Sequence, residues 1–185
     1  MSRNYKFHDS EAVFFVSFAV IKWLNLFTID ENIEILLQGI RYAQEKKGME
    51  IYAWCIMPNH VHLVFRSING KNPGKILGEF KSYTNRKIIQ AIKNSSDSAS
   101  LSYLEIFSQA AKKSSNVKGY QLWVHNNHPI ELANNSITHQ KIQYTHQNPV
   151  KAGLVTFPED YPYSSARDYA GLVGLIEGVI VVRNY

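Results

Sequence analysis

An apolar run broken once by a turn signal constrains the fold of this chain more than any other feature. The run extends from Trp54 to Phe65, and Met57-Pro58-Asn59 interrupts it. Proline presets φ and asparagine tolerates unusual backbone angles, so this tripeptide favours a tight connection. Segments 49–57 and 60–66 are therefore predicted to form two strands joined by a short turn.

The second of these strands begins with two histidines, His60 and His62. Alternate residues of a strand point to the same face, so the two imidazoles are predicted side by side while Val61 points into a core. Two neighbouring imidazoles on a rigid strand make half of a divalent-metal site. The residues alone leave open the alternative of one buried histidine and one surface histidine.

The remaining hydrophobic pattern alternates between strand and helix. Further strands are predicted at 12–21 and 118–124, and 175–182 is a candidate added strand. A first helix is expected between Asp30, a candidate N-cap, and Gly48, a C-terminal stop. Other helices are expected at 75–93, 101–113 and 137–148, the last with Ser136 as N-cap and Pro149 halting or kinking it.

This order predicts an α+β fold, a ferredoxin-like split βαβ unit with an antiparallel sheet, plus an additional C-terminal helix and tail. The length of 185 residues suits one domain over 1–185. Within it, 93–118 is expected to be an insertion or flexible connection, and 156–185 a tail.

Composition excludes several classes of protein. Cys55 is the only cysteine, so an intramolecular disulfide and a thiolate metal site are both excluded. The polar start, 1–11, lacks the apolar region of a signal peptide, and the apolar stretch 12–26 is too short to cross a bilayer. We therefore expect a cytoplasmic protein that does not engage a membrane.

Charge points to a polyanionic partner. Lysine and arginine together number 20 against 15 aspartates and glutamates. The imbalance is concentrated at 71–93, which carries six positive charges and only Glu79. A solvated helix face is the alternative interpretation of such a run.

The helix predicted at 137–148 carries Tyr144 and Asn148 on one face, because they are four residues apart. An oriented tyrosine is a usable nucleophile, and attack on a phosphodiester needs little more than a metal on the phosphate oxygens. As alternatives, Tyr144 is a packing or surface residue and Asn148 satisfies the helix end before Pro149.

Segments 57–62 and 144–155 resemble the two hallmark motifs of the single-tyrosine HUH transposases, and more narrowly of the REP-associated tyrosine transposases. Segments 80–88, 123 with 128–132, and 161–169 match in the same order. The resemblance extends from about residue 15 to 174.

The resemblance implies a mechanism and a partner. His60 and His62 would bind Mg²⁺ or Mn²⁺, with Asn148 as a third ligand. Tyr144 would attack the scissile phosphate of single-stranded DNA, forming a 5′-phosphotyrosine and releasing a 3′-hydroxyl, so that ends are rejoined without ATP. A DNA hairpin would guide the reaction, and the basic helix would be the DNA track. The residues predicted to contact DNA are Lys75, Lys81, Tyr83, Arg86 and Lys87.

Two departures and several alternatives accompany this resemblance. Val124 and Thr145 stand where the family often has Gln and Ile. A hairpin-binding module without turnover and a two-histidine phosphoesterase are the competing functions, although the latter normally needs two separated histidine motifs. The sequence leaves open monomer or homodimer, and it assigns no role to three histidines: His125, His128 and His146.

Overall fold

A computed structural model describes residues 7, 9–114, 117–125 and 129–182. Four strands form the sheet: β1 (Phe14–Ala19), β2 (Met49–Met57), β3 (His60–Ser67) and β4 (Ile130–Glu131). Five helices accompany them: α1 (Asp30–Lys47), α2 (Pro73–Asn94), α3 (Ser98–Lys112), α4 (Asn135–Lys151) and α5 (Ala166–Tyr169).

The sheet has the order β2-β3-β1-β4, and each neighbouring pair is antiparallel. β3 therefore separates β1 from β2, which are joined through α1. This is the split βαβ arrangement, and it confirms the predicted ferredoxin-like α+β fold.

The two faces of the sheet are covered by different helices. α1 and α2 enclose the larger core, in which Trp54, Leu63 and Phe65 are fully buried. α4 packs on the opposite face, where Phe15, Val64 and Ile142 form a smaller cluster. Strand alternation explains this division, because successive residues of β3 enter opposite layers.

The prediction of a strand at 118–124 is wrong. That segment makes one isolated bridge, between Trp123 and Val20, and the fourth strand is β4, paired with the start of β1. The Asn85 side chain donates to the Tyr120 carbonyl at 3.1 Å and accepts from the Leu122 amide at 2.7 Å. A side chain of α2 thus satisfies backbone groups that a strand ladder would otherwise use.

The chain after α5 also differs from its predicted structure. Within 175–182, a range that the structure describes, no strand is present. A single backbone bond, from the Ile180 amide to the Ile51 carbonyl at 2.8 Å, ties this segment to β2.

The residues that cap the helices agree only in part with those predicted. Ile29, not Asp30, precedes α1 without a side-chain cap, and α1 ends at Gly48 with φ 71°, where a glycine is preferred. Asn134, not Ser136, caps α4 by accepting from the Ile137 amide at 2.9 Å. α4 also continues two residues beyond Pro149.

Candidate active site

The two histidines lie at the start of β3, on the sheet face that α4 covers. β1 holds them in register, with Ala19 opposite His60 and Ser17 opposite His62. Val61 points into the other layer and is fully buried, as the alternation predicts. The His60 and His62 Nε2 atoms are 3.0 Å apart, so both rings direct the same nitrogen towards one point.

A relay of two asparagines orients the His60 ring. Asn59 donates from Nδ2 to Asn25 Oδ1 at 3.0 Å, which turns the Asn59 Oδ1 atom towards His60 Nδ1 at 2.7 Å. His60 then donates from Nδ1 and keeps a lone pair on Nε2. Asn59 was interpreted from the sequence only as a turn residue, so this role was missed.

Burial keeps both imidazoles neutral. It lowers the pKa of His60, and it lowers the pKa of His62 to about 3. Electrostatic interactions with His60 and with the Lys141 ammonium lower the His62 pKa further, whereas a hydrogen bond with Asn148 raises it. Neutral imidazoles have the lone pairs that a metal ion requires.

Tyr144 approaches this pair from α4. Its ring meets the His62 ring edge to face, with centroids 5.5 Å apart, and it meets the Phe15 ring at 5.8 Å. The side chain is still 40% exposed, so a substrate can reach it. Asn148 lies one turn later and donates from Nδ2 to the Tyr144 carbonyl at 2.8 Å, a hydrogen bond that does not use its Oδ1 atom.

The geometry of these residues is compatible with a divalent cation. Two ligands at about 2.1 Å on adjacent octahedral positions lie about 3 Å apart, which matches the 3.0 Å between the Nε2 atoms. The His62 Nδ1 atom is buried without a hydrogen-bond partner in the described structure. In the described part of the chain, no group of three or more His, Cys, Asp or Glu side chains is placed to hold a metal. If the chain holds a metal here, the ligands that its residues would offer are the His60 and His62 imidazoles and the Asn148 amide, with other positions left to water or phosphate oxygens.

Comparison with known families decides the assignment. The model of the family described as "Transposase IS200 like" matches residues 24–120, more than half of the chain. This chain belongs to the IS200-like transposases. The matched segment contains both histidines and α2 and ends before α4.

One solved structure shares the fold of this chain, and a second is less similar. A REP-associated tyrosine transposase bound to a REP hairpin is 17% identical and aligns with a TM-score of 0.63, covering 100% of this chain and 95% of the other. A transposase structure from Deinococcus radiodurans R1, also 17% identical, gives a TM-score of 0.40 and covers 80% of this chain and 95% of the other. No curated protein matches the sequence.

Two lysines of this IS200-like transposase flank the candidate nucleophile and were not predicted. The Lys141 and Lys151 ammonium groups each lie 5.5 Å from the Tyr144 ring centroid. Lys141 also lies 4.9 Å from the Phe15 ring centroid. Their positions three residues before and seven after Tyr144 place them on its helix face, so helical spacing was the signal that could have found them.

The predicted DNA-contacting residues of α2 lie on the opposite layer from the histidines. Lys75, Arg86 and Lys87 are exposed, whereas Lys81 and Tyr83 are half-buried. Tyr83 and Arg86 help to line a 530 Å³ cavity between α1 and α2. Their role in binding DNA stays a prediction.

The two departures from the family pattern are accommodated locally. Thr145 is fully buried, and its hydroxyl donates to the Lys141 carbonyl at 2.8 Å, so its polar atom is satisfied within α4. Val124 donates its amide to the Ala19 carbonyl at 2.9 Å and accepts from Lys81 Nζ at 3.3 Å. Burial lowers the pKa of Lys81 to about 8.

The remaining histidines have other surroundings. His125 Nε2 lies 2.9 Å from the Ser114 hydroxyl, and the buried His146 Nε2 lies 2.8 Å from the Ser165 hydroxyl. His128 is outside the described residues. Among the described helices, none is long and apolar enough to cross a bilayer.

Proposed function

We propose that the chain cleaves and rejoins single-stranded DNA through a covalent link to Tyr144, guided by a DNA hairpin. One observation carries the proposal. Paired imidazoles from β3 and a phenol ring from α4 converge, with 3.0 Å between the two Nε2 atoms and 5.5 Å between the His62 and Tyr144 rings. In this chemistry the nucleophile must lie next to the groups that activate the phosphate.

The covalent step exchanges one phosphodiester for another. The Tyr144 oxygen bonds to phosphorus and its proton leaves, while the bond from phosphorus to the 3′-oxygen breaks and that oxygen gains a proton. The product is a 5′-phosphotyrosine and a free 3′-hydroxyl. A 3′-hydroxyl reverses the step by attacking the same phosphorus and releasing the phenol, so no nucleoside triphosphate is consumed.

Each side chain has a separate task in this step. His60, His62 and Asn148 would hold Mg²⁺ or Mn²⁺, which supplies charge stabilisation to the phosphate oxygens when bound. Asn59 keeps the His60 lone pair directed into the site. Lys141 and Lys151 place positive charge on either side of the Tyr144 ring, where a phosphate must come to react.

Hairpin DNA is the proposed partner for two reasons. The structurally similar REP-associated transposase is bound to a REP hairpin. The chain has a formal net charge of +5 and carries exposed cations on α2, the predicted DNA track. Phosphate neutralisation by such side chains makes DNA affinity fall steeply with salt.

The test is a denaturing gel of protein incubated with a labelled single-stranded hairpin and Mn²⁺. We expect a covalent adduct that disappears in Tyr144→Phe and on chelation of the metal. Tyr42→Phe is the matched control, because Tyr42 is also exposed but lies on α1, across the sheet. Hairpin binding with no adduct under any divalent metal would favour the alternative, a binding module without turnover.

A further inference from the structure

Trp23 is an exposed aromatic residue beside the histidine pair that the proposed mechanism does not use. Its indole is 60% exposed, whereas Trp54 and Trp123 are 0% and 4% exposed. The indole and the His60 ring meet edge to face, with centroids 5.5 Å apart. Tryptophan is enriched at binding surfaces, so an indole exposed at the rim of a site is a candidate contact for a ligand.

The backbone that presents this ring is strained. Lys22 and Trp23 have φ values of 54° and 56°, in the left-handed region where residues with a side chain are uncommon. Such a conformation is unfavourable for a residue with a side chain, and it persists where the surroundings hold it in place. The segment places two consecutive non-glycine residues in this region, so neighbouring contacts must hold it in place.

Hydrogen bonds fix the strained segment to the turn that carries His60. The Val20 amide donates to the Asn59 carbonyl at 2.9 Å, and the Phe27 amide donates to the Pro58 carbonyl at 2.9 Å. The Trp23 amide donates to the Val20 carbonyl, also at 2.9 Å. These bonds hold the backbone that carries the indole next to the turn before the histidine pair.

Four aromatic rings form a row across the site. The centroid separations are 5.5 Å from Trp23 to His60, 4.7 Å from His60 to His62 and 5.5 Å from His62 to Tyr144. Trp23 and Tyr144 thus occupy opposite ends of the row. A strand whose phosphate lies at the histidines and Tyr144 would pass the indole within a few nucleotides.

We propose that Trp23 stacks on an unpaired nucleobase of the DNA strand close to the phosphate that Tyr144 attacks. The proposal rests on the function proposed above. The exposed Lys22, the residue before Trp23, adds a cation to this segment, and the combination of a cation with an aromatic platform suits single-stranded DNA. Stacking would also hold the strand in register with the site.

Intrinsic fluorescence gives a direct test, because Trp23 is the exposed one of the three tryptophans. The experiment uses the Tyr144→Phe chain without metal, so that binding is observed and cleavage is prevented. We expect a single-stranded oligonucleotide to quench the emission. The quenching should vanish when Trp23→Phe is added, since the two remaining tryptophans are buried. Equal quenching with and without Trp23 would overturn the proposal.

Affinity gives the second measurement. Trp23→Ala should weaken oligonucleotide binding by about 5- to 100-fold, whereas Trp23→Phe retains most of the affinity. Phe157→Ala, at a residue 59% exposed and outside the row of rings, is the matched control and should bind as the parent does. Thermal melting checks that Trp23→Ala is folded.

An abasic scan identifies the stacked base. Removing that base should weaken binding to the parent and have little further effect on Trp23→Ala, whereas additive losses at every position would overturn the proposal. The outcome is separable from the function proposed above. Quenching in the Tyr144→Phe chain, together with no covalent adduct in the parent, would support base stacking by Trp23 and refute cleavage. A normal adduct in Trp23→Ala, with unchanged affinity for the oligonucleotide, would refute the stacking role of Trp23 and leave the proposed cleavage standing.

Discussion

The His62 ring and the Tyr144 ring of the same chain meet edge to face, at 83° and with 5.5 Å between centroids. The first ring comes from β3 and the second from α4. Packing of α4 on the sheet therefore brings the two side chains together. This arrangement places the proposed metal ligands and the proposed nucleophile of one chain in one site.

We therefore expect no rescue when two inactive variants are mixed. Tyr144→Phe and His60→Ala, incubated together with hairpin DNA and Mn²⁺, should give no more covalent adduct than either variant alone. Both contributions to the site come from the same chain, so neither variant can supply what the other lacks. The measurement is the adduct band on a denaturing gel.

A mixture of the parent and Tyr144→Phe is the control, and it should retain the adduct of the parent. Recovery of adduct in the mixture of two variants would mean that chains exchange α4 and act as a homodimer with shared sites.

The two histidines should differ in their contribution to stability. His62 is buried and stacks on Phe15 at 5.6 Å, so His62→Ala leaves a cavity and should lower Tm by about 4–8 °C. His60 is less buried, and His60→Ala should change Tm by less than about 3 °C. Both variants should lose the DNA adduct. Thermal melting with the adduct assay checks both statements, and an adduct that survives in His60→Ala would remove that residue from the site.

Asn59 should act on metal affinity through His60. Asn59→Ala removes the acceptor at 2.7 Å that fixes the His60 ring, and loss of such a partner typically weakens metal binding by about 10- to 100-fold. Asn25→Ala should have a smaller effect in the same direction, because Asn25 only orients Asn59. Isothermal titration with Mn²⁺ in the presence of uncleavable DNA measures the change.

Asn94→Ala at the end of α2 is the matched control for this experiment, and its Mn²⁺ affinity should equal that of the parent. Equal affinity in Asn59→Ala would show that the asparagine only shapes the turn.

The sequence predicted those parts of the site that depend on local periodicity. Two-residue alternation placed His60 and His62 on one face, and the four-residue helical repeat placed Tyr144 with Asn148. Neither pattern contains the distance between β3 and α4, which follows from packing across the sheet. The contact between Asn59 and His60 was equally inaccessible, because it depends on Asn25 in a separate loop.

The strand wrongly predicted at 118–124 failed for a related reason. Its apolar and aromatic residues suit a strand, but Asn85 of α2 binds its backbone groups. Gly119, with φ 84°, also departs from extended backbone within the segment. Tertiary hydrogen bonds thus overrode a local preference, as they often do for short strands.

The buried histidines should make the fold sensitive to acid, and His146 offers the cleanest test. Burial lowers its pKa to about 4, below the usual value of 6.5 that applies in the unfolded chain. As pH falls below 6.5 the unfolded chain takes up a proton that the folded chain does not, so stability present above pH 6.5 is lost towards pH 4. One such histidine accounts for a loss on the order of 2–3 kcal/mol over this window.

Urea unfolding at several pH values should show a shallower loss of stability in His146→Asn than in the parent. The variant is itself expected to be less stable at pH 7, because it disturbs the contact with Ser165, so the comparison concerns the slope with pH. An identical slope in both proteins would mean that His146 is protonated in the folded chain as readily as in the unfolded one.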